Sequence, residues 1–294
     1  MKHLLLIINP VAGKSGFRPV LGKVCEEFAK GGFAQELRFT ECSGDGARLA
    51  RELGGDFDLV VCVGGDGTLS EVVSGLMELP APPLLGYIPL GTTNDMAKTL
   101  RLSRSPRMAA RRIMEGSPRT LDVGAYGDDG YFTYVAAFGA FTGLSYETSQ
   151  DAKHSLGRLA YFLGVMSYLP RIRPFSARVE VDDTVMEADL AFGAVTNTLS
   201  VAGVLKLDDK RVNLEDGRFE VLLVKNPDSW TELQPIFSGL ATRNYKSPYV
   251  TFLSGKAVRF QFNEPVPWTR DGEDGGTHQE LFLRNLPSAI RIIA

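Results

Sequence analysis

The 294-residue chain is 44% hydrophobic and 23% charged, enough apolar material for the core of one large domain or two ordinary ones. A formal net charge of −3 argues against a general nucleic-acid binder, so no nucleic-acid partner is expected. The three cysteines Cys25, Cys42 and Cys62 have no CxxC spacing and read as reduced packing residues, which favours a cytoplasmic protein.

The first element is "HLLLIIN", residues 3–9. It is too short for a signal peptide and ends in Asn9-Pro10, so it reads as a buried strand. No stretch reaches the ~18 apolar residues of a membrane-spanning helix, so any membrane contact is expected to be peripheral. A helix pattern follows in "RPVLGKVCEEFAKGG", then a strand in "FAQELRFT" and a helix in "GDGARLARELGG" closed by glycine. Strand "FDLVVCVGG" leads to helix "TLSEVVSGLMEL", which the "PAPP" break ends. Strand "LLGYIPLG" leads to helix "TNDMAKTL". Short apolar strands alternating with helices predict an N-terminal parallel-sheet α/β nucleotide-binding domain over residues 1–121, its ligands beyond the carboxyl ends of the strands.

From residue 122 the pattern changes. "TLDVGAY", "FSARVEVDD", "TVMEADLAFGAVTNT", "GRFEVLLVKN" and "AVRFQFNEPVPWTRDGE" read as strands joined by turns, with one helix-like segment over 156–169. This predicts a C-terminal antiparallel β-sandwich domain over 122–294. The last strand, "AIRIIA", could pair with either domain.

Three turns carry the chemistry. Gly64-Gly65-Asp66-Gly67-Thr68 joins a strand to a helix and offers bare backbone N–H groups to an anion such as phosphate. Thr68 with Glu71 has the spacing of a capping box. Asp66 would repel phosphate by itself, and a bridging Mg²⁺ would resolve that. The second turn is Asn9-Pro10-Val11-Ala12-Gly13-Lys14-Ser15, which ends like a Walker A loop but has Ile8 where that pattern needs glycine. The third is Pro89-Leu90-Gly91-Thr92-Thr93-Asn94-Asp95, where Asn94 or Asp95 could cap a helix. All three fall at strand carboxyl ends of one predicted sheet, so they can converge on one nucleotide.

"NPVAGKSG", "GGDGTLSE" and "PLGTTNDMA" together resemble the bacterial soluble diacylglycerol kinase family, within the lipid kinases that include sphingosine and ceramide kinases. "LEDGRFEVLLV" and the late "DGE" extend the resemblance over nearly the whole chain. It implies a fold of the NAD kinase/diacylglycerol kinase kind, with ATP in a cleft between the domains. It implies ATP contacts from Asn9, Pro10, Val11, Ala12, Gly13, Thr40, Thr92 and the run Gly65, Asp66, Gly67, Thr68, Leu69, Ser70 and Glu71. It implies catalytic Mg²⁺ held by Asp66 with Asp122, and a structural Mg²⁺ on Asp216 and the carbonyls of Asn213 and Arg218. Lys153 would approach a lipid headgroup.

Phosphoryl transfer needs alignment and charge neutralisation, and an alcohol nucleophile gains from a carboxylate that takes its proton. The resemblance implies that an acid of the late "DGE", Asp271 or Glu273, is that base, with Asp271 preferred and Glu273 as its partner. The basic run Arg101, Arg104, Arg107, Arg111 and Arg112 suits an anionic surface or a solvated helix face. The expected partner is a membrane lipid, diacylglycerol or a relative, met peripherally at the inner face of the membrane, and a homodimer is a further possibility. The rival readings are an NAD kinase-like enzyme and a non-catalytic ATP sensor. His3, His154 and His278 have no metal-ligand spacing and receive no role.

Overall fold

The structure, a computed structural model, describes residues 2–13, 17–128, 130–139, 174–201, 205–207, 212–227, 229–242 and 247–294. It is a mixed α/β chain that divides into two compact units, Met1–Val123 with Leu286–Ala294, and Gly124–Asn285.

In the first unit, strands β1 (Lys2–Ile8), β2 (Phe33–Phe39), β3 (Leu59–Gly64) and β4 (Leu84–Pro89) lie in the order β2-β1-β3-β4. Each of these neighbours is parallel. The free side of β4 takes Ile292 and Ile293 from the end of the last strand, β15 (Glu273–Ile293), also parallel. Leu4 to Ile8 are fully buried because both faces of this sheet are covered. On one face Leu4, Leu6 and Ile8 pack with Val24 and Phe28 of α1 (Leu21–Lys30) and Ile113 of α5 (Pro106–Glu115). Elsewhere α2 (Asp45–Leu53) packs on α3 (Asp66–Met77), and α3 lies against β3. A short helix, α4 (Asp95–Thr99), follows β4. Helix α5 exposes its arginines, but Arg107 is paired with Glu27 at 2.7 Å and Arg111 with Glu115 at 2.9 Å.

Strand β5 (Pro118–Tyr126) leads into the second unit, which is rich in antiparallel strands. After β6 (Gly130–Phe132) come β7 (Val135–Gly139), β8 (Phe175–Val181) and β9 (Thr184–Thr196). A two-stranded ribbon of β10 (Ser200–Val201) and β11 (Leu205–Lys206) precedes β12 (Phe219–Lys225), β13 (Val250–Gly255) and β14 (Ala257–Arg270). The early part of β9 pairs with β8 and its late part with β7, and β14 does the same. Two long strands shared in this way curl the layers around one core, in which Phe138 meets Trp268 at 4.8 Å and Phe260 at 5.5 Å between ring centroids.

Two expectations need correction. Helix α6 (Trp230–Thr242) lies where no helix was predicted, and Pro235 inside it masks the periodic signal. Cys42 is exposed and so is not a packing residue, whereas Cys62 is buried. The predicted helix over 156–169 and Lys153 lie outside the described residues.

Candidate functional site

The three glycine turns meet at the carboxyl ends of β1, β3 and β4. Asn9 donates its side-chain N–H to Thr68 Oγ1 at 3.2 Å and accepts the Val11 amide at 3.1 Å. The Leu90 amide donates to the Gly64 carbonyl at 2.7 Å. The loops approach so closely that a Cβ on Gly13 would overlap the Leu90 carbonyl oxygen, and one on Gly91 would lie 2.7 Å from Gly65 Cα. Thr40 joins this end through its amide, which donates to the Ile8 carbonyl at 2.9 Å. Val11 and Thr92 are exposed there. Helix α3 opens at Asp66, with Gly65 as its N-cap residue and no side-chain cap bond. Its first amides therefore face the turn, the arrangement that favours an anion.

The expected capping box does not form. Thr68 Oγ1 is turned to Asn9, and Glu71 reaches across to the start of α2. Its carboxylate accepts the amides of Gly44 at 2.8 Å and Gly46 at 2.9 Å. Asp66 behaves alike: it accepts the amides of Asp95 at 2.8 Å and Met96 at 3.1 Å and so caps α4. Asn94 sits at the N-cap with φ 48°, but its side chain donates to the Gly91 carbonyl at 2.6 Å. Neither Asn94 nor Asp95 supplies the cap that the sequence suggested, because a carboxylate 29 positions away has taken it.

Asp122 is fully buried and accepts the Ser288 amide at 2.8 Å. Asp95, 1% exposed, accepts from Lys98 Nζ at 2.9 Å. Among the described residues no three His, Cys, Asp or Glu side chains gather into a metal-holding group. Asp66 and Asp122 each present carboxylate oxygens that already accept backbone amides, and oxygen is the donor type that Mg²⁺ takes together with waters and phosphate. In the turn before β12, Asn213 Oδ1 accepts the Glu215 amide at 3.1 Å and Asp216 Oδ1 the Arg218 amide at 3.0 Å. The set expected from sequence, the Asp216 carboxylate with the carbonyls of Asn213 and Arg218, is all oxygen and would suit a hard cation.

In the second unit, Asp271 and Gly272 form the two-residue turn between β14 and β15, with Arg270 paired to Glu273. Both turn residues have positive φ, 50° and 84°, the signature of a type I′ hairpin. The two acids differ sharply. Asp271 is 3% exposed and accepts the amides of Thr133, Tyr134 and Val135 at 2.6, 3.0 and 2.9 Å. Tyr134 Oη also donates to its carbonyl at 2.8 Å. Glu273 is exposed, and its carboxylate makes no hydrogen bond among the described residues. Sequence reasoning missed one ionisable group nearby, Glu220 of β12. It is fully buried with both carboxylate oxygens unpartnered, and burial, with help from the Asp216 charge, pushes its carboxyl up to about 8.

One unit is thus a parallel α/β sheet on which three glycine turns converge, and the other is rich in antiparallel strands and carries an acidic hairpin. Residues 3–126 match the diacylglycerol kinase catalytic domain, and residues 140–294 match the YegS C-terminal NAD kinase beta sandwich-like domain. A diacylglycerol kinase of Bacillus subtilis (strain 168) is 33% identical over 100% of this chain and 96% of its own. One of Staphylococcus carnosus (strain TM300) is 35% identical over 99% of this chain and 94% of its own. A diacylglycerol kinase crystal structure from Bacillus anthracis str. Sterne shares the fold, with a TM-score of 0.78 at 23% identity, covering 99% of this chain and 96% of that one. The chain belongs to the bacterial diacylglycerol kinase family, a family of lipid kinases.

Proposed function

We propose that the protein transfers the γ-phosphoryl group of ATP to the free hydroxyl of diacylglycerol, giving phosphatidic acid. The meeting of three backbone-lined turns at the carboxyl ends of β1, β3 and β4 carries this reading. ATP phosphates lie over Gly65, Asp66 and Gly67, where amides and missing side chains let them come close. Asp66 keeps this surface in shape by tying α4 to α3. Asp66 and Asp122 would hold catalytic Mg²⁺, and the Asp216 carboxylate with the carbonyls of Asn213 and Arg218 would hold a structural one. When bound, catalytic Mg²⁺ neutralises charge on the transferring phosphoryl group. The chain meets its lipid peripherally; no helix among the described residues is long and apolar enough to cross a membrane.

Glu273 is the general base, reversing the order preferred from sequence. A carboxylate whose oxygens already accept three amides has little capacity left for a substrate proton, whereas Glu273 is unengaged. As the lipid oxygen bonds to the γ-phosphorus and the bridging oxygen departs with ADP, the hydroxyl proton passes to Glu273. Asp271 anchors the turn that presents it.

The test is phosphorylation of a panel of lipids, with NAD as a soluble acceptor, and mass analysis of the products. Diacylglycerol is expected to be converted and NAD not. Glu273→Gln is expected to lower turnover by about 10²–10⁴-fold and shift unfolding free energy by less than about 0.5 kcal/mol. Asp271→Asn turns an NH₂ toward amide donors and is expected to cost about 2–3 kcal/mol of stability. Full turnover in Glu273→Gln, or transfer to NAD alone, contradicts the reading.

A further inference from the structure

Past the Asp271-Gly272 turn the hairpin ladder is irregular. Thr269 is opposite Asp274 and Pro267 is opposite Thr277. Trp268 therefore stands against two residues, Gly275 and Gly276, which is a β-bulge two positions beyond Glu273. Gly276 has φ 80°, and the Asp274 carboxylate takes its amide at 2.8 Å.

Two side chains converge on the bulge carbonyl. Tyr126 Oη donates to the Gly275 oxygen at 2.9 Å, and His278 Nε2 lies 2.8 Å from the same oxygen. A carbonyl oxygen only accepts and has two lone pairs, so both are filled and the His278 proton is fixed on Nε2. The two rings meet edge to face, 5.6 Å between centroids. Arg270, the cross-strand partner of Glu273, lies over the Tyr126 ring at 5.5 Å, and Trp268 meets that ring edge to face at 6.5 Å. Only glycine fits at 275: a Cβ there would lie 2.8 Å from Tyr126 Oη and 3.1 Å from the Trp268 carbonyl oxygen. Burial raises the Tyr126 hydroxyl above its ordinary range, so it stays a donor.

We propose that Tyr126 and His278 are positioning residues for Glu273, pinning the bulge so that the base is aimed by a hairpin held at both ends. Asp271 fixes the turn on one side of Glu273 and the two-donor clamp on Gly275 fixes the other. This gives a role to His278, which its spacing in the sequence did not, and it rests on reading Glu273 as the base.

The experiment measures turnover, KM for ATP and melting temperature for Tyr126→Phe, His278→Leu and His278→Gln beside Glu273→Gln. Tyr126→Phe keeps the ring packing and removes only the donor. It is expected to lower kcat about tenfold with KM for ATP within about twofold, the pattern of a misaimed base. His278→Leu is expected to match it, while His278→Gln, whose amide N–H can donate to the same carbonyl, recovers most of the turnover. Adding Tyr126→Phe to Glu273→Gln is expected to cost nothing further, because the hydroxyl acts through Glu273. Wild-type kcat in Tyr126→Phe and His278→Leu with Glu273→Gln inactive overturns the clamp alone. So does a tenfold additive loss in the double variant. An active Glu273→Gln overturns the base assignment itself and is thereby distinguished.

Discussion

Asp66, Glu71 and Asp271 are carboxylates in motif positions, and in each case backbone amides set what the side chain does. Glu220 is the opposite case, a carboxyl with no hydrogen-bond donor from any other described residue. It sits on a fully buried strand position between Thr196 and Ser254, and burial pushes it up to about 8. An unfolded glutamate ionises near about 4.3. Between that value and about 8 the folded chain keeps a proton that the unfolded chain releases. Glu220 therefore makes stability fall as pH rises through this window, at up to about 1.4 kcal/mol per pH unit, and level off above it. Glu220→Gln should remove that slope and be the more stable protein at pH 8. Urea unfolding of both proteins from pH 5 to 9, in chelating buffer, checks this. Parallel stability curves for the two would mean that the carboxyl is not held neutral.

At the scale of elements, local signals were readable and long-range ones were not. The strand–glycine–helix turns at Gly13, Gly65 and Gly91 are encoded in adjacent residues, so both their existence and their place at strand ends could be read. Asp271-Gly272 is a local hairpin signal as well, although its acids could not be ranked without knowing which one the amides of Thr133 to Val135 enclose. The helix caps were misread because the capping groups come from other elements. Glu71, on α3, closes the start of α2 and so couples two helices that pack together. Truncating it leaves the amides of Gly44 and Gly46 without acceptors. Glu71→Ala should cost about 1–2 kcal/mol, the scale of a lost N-cap. Hydrogen exchange at those two amides should quicken more than exchange elsewhere in α2. Unchanged protection at both would show that water or another group replaces the carboxylate.

For the whole molecule, the decisive feature is that the first unit is built from both ends of the chain. Each unit has its own apolar cluster, one running from Leu4 to Ile113 and finishing with Ile293, the other lying wholly between Tyr126 and Leu283. The first core is completed only when Leu286–Ala294 returns, a contact of very long sequence separation that is costly to close. Ile292 is fully buried at that return and pairs with Leu85 of β4. Ile292→Ala should destabilise the first unit by about 3 kcal/mol, as other buried isoleucine truncations do. Both tryptophans, Trp230 and Trp268, belong to the second unit, while α1 to α5 belong to the first. Tryptophan fluorescence therefore follows one unit, and most of the described helical signal at 222 nm follows the other. In the variant, the 222-nm transition should move to lower urea and the fluorescence transition should stay near its original midpoint. If the two transitions moved together by the same amount, the separate cores would not be separate cooperative units, and the last strand would be stabilising the entire chain rather than the first unit alone.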